Sequence, residues 1–176
     1  MEFIDVIKKR RSIRKYKSDP VQDEDIEYVL NAARLAPSAH NYQCWKYVVV
    51  KDKKTIKKIA SARPKSKEWI SQAPVIIVAC ANPGESSHRE GKDIYLVDIG
   101  ISFEHLILAA KDLGLGTCWI AGFDEKTVKD AIGVPENIRV VAFTPLGYPA
   151  EEKSEVTDRK PIEETIFYEK YRQKIN

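Results

Sequence analysis

Apolar residues fall into two rhythms along this chain. Phe3, Val6 and Ile7 recur at helical spacing, which predicts a short amphipathic helix over residues 2–10 with Lys8 and Lys9 turned outward. Ile26, Val29, Leu30 and Ala33 repeat the helical pattern behind Asp23-Glu24-Asp25, an acidic start that suits the positive end of a helix dipole, and Pro37 marks the stop. The β-branched runs at 47–50 and 75–79, the second behind Pro74, predict buried strands. Residues 53–62 and 66–72 read as short helices between them, and 82–91 as a turn-rich loop. From Asp93 to Leu113 the chain is apolar on most of a helical circumference, so a central helix packed on several sides is expected, ended by Gly114. Strands at 117–121 and 140–144, separated by a charged helix at 124–132, complete the set. Helices alternating with buried strands imply an α/β or α+β sandwich.

Length and charge narrow the function. The 176 residues fit one domain spanning 1–176. No apolar run approaches the roughly 20 residues of a bilayer span, and the opening MEFIDVIKKRRS lacks a secretory signal, so a cytoplasmic protein with no membrane partner is expected. Cys44, Cys80 and Cys118 are too scattered for a disulfide framework or a structural metal. A net charge of +3 does not by itself suggest a polyanion partner. Its distribution says more: Lys8, Lys9, Arg10, Arg11, Arg14, Lys15 and Lys17 crowd one helix end, where an anionic ligand could bind. A nucleic-acid patch is the competing explanation, and it would show steeply salt-dependent binding. The glycines form neither a dinucleotide fingerprint nor a Walker loop, which disfavours a Rossmann dehydrogenase.

Four separated segments, spread from Phe3 to about Glu164, resemble the nitroreductase family. Arg10-Arg11-Ser12-Ile13-Arg14 is similar to the family's Arg-Arg-Ser-x-Arg stretch, which holds the phosphate and ribityl chain of FMN. Guanidinium forks and a hydroxyl within five positions suit a phosphate dianion. The segment from Pro37 to Trp45 is similar to Pro-Ser-x-x-Asn-x-Gln-Pro-Trp. It implies that Pro37, Ser38, Ala39, Asn41 and Gln43 reach the flavin of the opposite subunit, where amides offer both donors and acceptors; an Asx-type turn alone would explain Pro37, Ser38 and Asn41. Cys44 stands where the family has proline, and a packed thiol is preferred to a nucleophile because no base is evident beside it. Asp98 to Gly122 looks like the family's central helix and following strand. There Gly100 is expected to permit close helix packing, Glu104-His105 replaces the usual Gln-Asn, and the backbone of Ala121 and Gly122 is expected to approach the flavin. Pro145-Leu-Gly-Tyr-Pro and Arg159-Lys160-Pro161 match the family's ending, with Arg159 completing the phosphate site and Lys160 as second choice.

The resemblance implies an α+β fold, a nitroreductase-like sandwich whose central mixed, mostly antiparallel sheet is flanked by helices, in an intertwined homodimer. The tail, about 160–176, carries Ile166, Phe167, Tyr168 and Tyr171, and such a tail needs a surface to cover, the partner subunit being one. FMN would carry the chemistry, so no catalytic side chain is named. Electrons would pass from NADH or NADPH to a small organic acceptor, a nitroaromatic, quinone or similar molecule, by a ping-pong mechanism over one flavin face. Tyr42 and Trp69 are candidates for shaping the cleft. The alternative is a flavin-binding sensor or carrier without reductase activity, which would keep the same four segments.

Overall fold

Seven consecutive residues, Val75–Ala81, are buried without exception, because this strand lies inside a sheet that is covered on both faces. In the computed structural model, which describes residues 1–172, Val75–Ala81 (β2) is flanked by Trp45–Val50 (β1) on one side. On the other side lies Arg139–Gly147 (β6), and Gly116–Thr117 (β5) forms the far edge. All neighbours in this sheet run antiparallel: Trp45 lies opposite Ala81, Val75 opposite Leu146, Ala81 opposite Arg139 and Gly116 opposite Gly147. Among the described residues the parallel component is confined to one bridge between Ser12 and Thr117, so the expected mixed sheet is antiparallel in every strand pair.

Side chains alternate across a strand, and β2 shows the result. Val75, Ile77, Ala79 and Ala81 enter one core, with Asp23–Arg34 (α2) and Ile94–Asp112 (α5). Ile76, Val78 and Cys80 enter a second core, with Lys53–Ser61 (α3), Lys67–Ile70 (α4) and Glu125–Ile132 (α6). The sheet is therefore the middle of three layers. Fully buried Phe103 and Phe143 anchor the two cores, each contributing about 1.5–3 kcal/mol by area burial. Caps set helix boundaries as chemistry demands: Asp52 accepts the Thr55 N–H and Asp124 the Thr127 N–H, both at 2.8 Å, and Gly133 closes α6 in the left-handed region. Phe3–Lys9 (α1) packs on α5, and the N-terminal ammonium pairs with Asp112 at 2.7 Å.

Five expectations differ from the structure. The strand expected over 117–121 stops at Thr117, because the Cys118 N–H donates to the Thr144 hydroxyl instead of a neighbouring backbone carbonyl. Pairing resumes only at Ile120, which exchanges two bonds with Phe143. The helix expected at 66–72 is a 3-10 turn at Pro64–Ser66 followed by the single turn of α4. The loop after β2 contains a small hairpin, His88–Arg89 (β3) with Lys92–Asp93 (β4). Gly100 meets no other residue within the subunit: a Cβ built there has nothing within 4 Å. The helix expected to be packed on several sides instead leaves Leu96, Val97 and Ile101 exposed. No helix among the described residues is long and apolar enough to cross a membrane. The last four residues of the tail expected to cross a partner, 173–176, lie outside the described residues.

Candidate functional site

The basic segment after α1 does not continue the helix. Arg10 turns extended, and residues 12–17 run along the β5 edge of the sheet. The Ile13 N–H donates to Thr117 O at 2.9 Å, Tyr16 bridges Pro149, the Lys17 N–H donates to Tyr148 O, and the Ala150 N–H to Lys15 O. Two side chains finish the stitching: the Glu151 carboxylate accepts the Arg14 N–H at 2.7 Å, and Lys153 Nζ donates to Ser12 O at 2.7 Å. Buried Tyr16 donates to Ile13 O, and burial raises its phenol far above the usual range.

This course brings Arg10, Arg11, Ser12, Arg14 and Arg159 around one cleft of about 380 Å³, with Lys153 as a further cation and Glu155 and Asp158 as its acids. Residues more than 140 positions apart thus converge. The arginines differ in what remains free. Arg11 is committed to the carbonyls of Ser154 and Glu155, Arg14 lies over the Trp69 ring at 5.9 Å, and Arg159 donates to Asp158 O. Lys160 is exposed and does not line the cleft. Arg10, Arg11 and Lys153 also border a larger cavity of about 550 Å³ with Lys9, Lys17 and Lys111. Ser12, Arg14 and Arg159 do not line it, so the smaller cleft alone joins the hydroxyl to four guanidinium groups.

Tight packing fixes the segment in place. A Cβ at Gly116 would lie 2.9 Å from Ile13 Cγ1 and 3.0 Å from its Cβ and Cγ2. Gly116→Ala is therefore expected to cost about 1–3 kcal/mol, read as a lowered midpoint of chemical denaturation, because a branched side chain cannot step aside. An unchanged midpoint would show that Ile13 moves freely.

Ala121 and Gly122 are exposed where the chain leaves the sheet. The Arg63 guanidinium donates to Gly122 O and, at 3.1 Å, to the Ser66 hydroxyl. Burial pushes the buried Cys118 thiol up, while Arg14, Ser12, Lys153 and Arg63 pull it back. Arg63 and Lys153 were not singled out from sequence. Each acts on a backbone carbonyl, and that leaves no motif.

The loop from Ser38 to Gln43 has a different character. His40, Asn41 and Gln43 adopt φ values of 50°, 58° and 51°, a region that side chains with a Cβ rarely occupy. Its internal bonds run from Gln43 N–H to Ser38 Oγ and from Gln43 Nε2 to Asn41 O. The Ala39 N–H is taken by buried Asp98, at 3.0 Å. Cys44 is fully buried, and burial and then Asp98 push its thiol up, so it keeps its proton and is a packed donor rather than a nucleophile. Pro37, Asn41, Tyr42 and Gln43 are left exposed around this loop.

Within one subunit the two parts do not meet. Ser12 bridges Thr117, which stands opposite Leu146 of β6; the loop closes on the other end, where Cys44 O accepts from Asn82 and Ala81 stands opposite Arg139. Leu146 and Arg139 are near opposite ends of one extended strand, roughly 23 Å apart at about 3.3 Å per residue. Between these parts α5 turns Val97, Gly100, Ile101, Glu104 and Leu108 outward on one stripe, all at least partly exposed. Burial pushes the Glu104 carboxyl up, with Arg10 and His105 pulling it back, and His105 Nδ1 lies 3.3 Å from Ala32 O.

Known proteins share this architecture. The model of the Nitroreductase family matches residues 7–65 and 61–148. A relative in Archaeoglobus fulgidus, provisionally named NADH dehydrogenase/NAD(P)H nitroreductase, is 38% identical over 164 residues, 90% of this chain and 92% of its own. A nitroreductase family protein from Clostridium novyi is 40% identical with a TM-score of 0.83, covering 95% of this chain and 93% of that one. An FMN-dependent nitroreductase from Clostridium difficile is 30% identical with a TM-score of 0.85, covering 96% and 99%.

Proposed function

Because this chain belongs to the nitroreductase family, we propose that it is an FMN-dependent oxidoreductase which takes electrons from NADH or NADPH and passes them to a small organic acceptor. The observation that carries this reading is the gathering of Arg10, Arg11, Ser12, Arg14 and Arg159 on one cleft. A phosphate monoester dianion needs several directed donors, and guanidinium groups beside a hydroxyl and an ammonium supply them. When bound, FMN supplies the redox chemistry, accepting hydride from the nicotinamide and returning electrons to the acceptor.

The protein's share is to hold and to tune. Arg10, Arg14 and Arg159 bind the phosphate with Ser12, while Arg11 and Lys153 hold the two strands of the cleft together. Arg63, fixed by Ser66 beside the Gly122 carbonyl, places a positive charge near the exposed backbone of Ala121 and Gly122, where it can offset negative charge that develops during reduction. Asn41 and Gln43, too far away to serve the same cleft, serve the cleft of a second copy. A homodimer built across the open stripe of α5 provides this arrangement, and the described part of the tail, with Ile166, Tyr168 and Tyr171 exposed, covers further partner surface. One shared open cleft supports ping-pong turnover with nitroaromatics or quinones as acceptors. Three unpaired buried thiols suit a reducing compartment such as the cytoplasm.

Anaerobic titration of the FMN-loaded protein with NADH and NADPH tests this reading. Flavin absorbance is expected to bleach within seconds and return when a quinone is added. Bleaching only over many minutes with both donors would leave a flavin-binding sensor or carrier and sink the reductase.

A further inference from the structure

We infer that Asp98 is a positioning residue, whose buried carboxyl clamps the Ser38–Cys44 loop onto α5 and so holds Asn41 and Gln43 in place. The inference rests on the FMN reading above, and Asp98 itself is buried and does not line the arginine cleft.

Three observations converge. Asp98 is 2% exposed on a helix apolar over most of its circumference, and among the described residues no cation pairs with it. A carboxyl removed from water is costly unless its oxygens find donors, and both do so on the loop: Oδ1 accepts the Ala39 N–H at 3.0 Å, and Oδ2 faces the Cys44 thiol at 3.8 Å. One side chain therefore grips the loop near its beginning and at its end. The loop also needs restraint, since three residues with a Cβ sit in the left-handed region and the bonds of Gln43 close only on the loop itself. One turn further along α5, Ser102 repeats the device: its hydroxyl donates to Ala33 O of α2 and meets Tyr47 Oη of β1 at 2.7 Å. The elements before and after the loop are thus registered on the same helix that presents Val97 and Ile101 outward.

The test uses full-length apoprotein and FMN titration by quenching of flavin fluorescence. Asp98→Ala is expected to weaken FMN binding about tenfold or more, the scale of one lost buried hydrogen bond, with elution volume and far-UV spectrum unchanged. Asp98→Asn keeps an oxygen for the Ala39 N–H and is expected to stay within about threefold of wild type. Ala39→Pro deletes the donor without touching α5. The preceding Ser38 already has φ −139° and ψ 160°, which a following proline requires. This variant should lose affinity as Asp98→Ala does, and the double variant no more than either alone, because both remove one interaction. Should Asp98→Ala misfold, Ala39→Pro and Asp98→Asn still decide the matter. FMN affinity within about twofold of wild type in folded Asp98→Ala or Ala39→Pro overturns the clamp, as does an Asp98→Asn variant as weak as Asp98→Ala. Wild type that takes up no FMN overturns the functional reading itself.

Discussion

Replacing Arg10 and Arg14 together by alanine is expected to weaken FMN binding by about a hundredfold to ten-thousandfold, since two charge-assisted hydrogen bonds at about 1.5–3 kcal/mol each are lost. The two are chosen by what the structure leaves free. Arg11 spends its guanidinium on the carbonyls of Ser154 and Glu155, so Arg11→Ala should act mainly by loosening residues 153–159, with a smaller loss of affinity and faster proteolysis there. Arg14 is steadied by Trp69 beneath it, and Arg10 comes from the end of α1. Titration of apoprotein with FMN separates the cases, and unchanged affinity in the double variant would remove the cleft from cofactor binding.

A single charge on the open stripe of α5 should have a larger effect still. Ile101→Asp is a mild change for an isolated subunit, because Ile101 is 37% exposed and its neighbour Val97 56%. In a twofold dimer each copy would bring its own carboxylate into a desolvated contact, at a cost of several kcal/mol per charge. Light scattering on the eluting protein should then report monomer of normal secondary structure, with no flavin bound and no reductase activity. A flavin-loaded dimer in this variant would place the interface elsewhere.

The sequence announced some of this plainly. The spacing of Ile26, Val29 and Ala33 is that of α2, and the unbroken apolar run after Pro74 is β2, both local patterns that burial on one stripe or two faces imposes. That Arg10, Arg11, Ser12 and Arg14 would share one cleft was legible because they stand within five positions of one another. Other parts were not, for physical reasons. Residues 117–121 have a strand's composition, yet Thr144, a side chain on the neighbouring strand, captures the Cys118 N–H and breaks the ladder. Asp98 opens the segment that resembles the family's central helix, but nothing in the sequence shows that its partner is the Ala39 N–H. Gly100 suggested close packing, but a Cβ built there has open space around it within the chain, which no local pattern reveals.

The antiparallel sheet that sets Ser12 and Asn41 at its two ends also bears on how the enzyme comes into being. Under the proposed homodimer, a newly made polypeptide would hold half of each of two incomplete receptors and would stay colourless until it met a sibling. Loading would then depend on the square of subunit concentration, and flavin would in turn drive the pair together by mass action. With the protein scarce, the limiting event would be encounter between chains, however abundant the pigment.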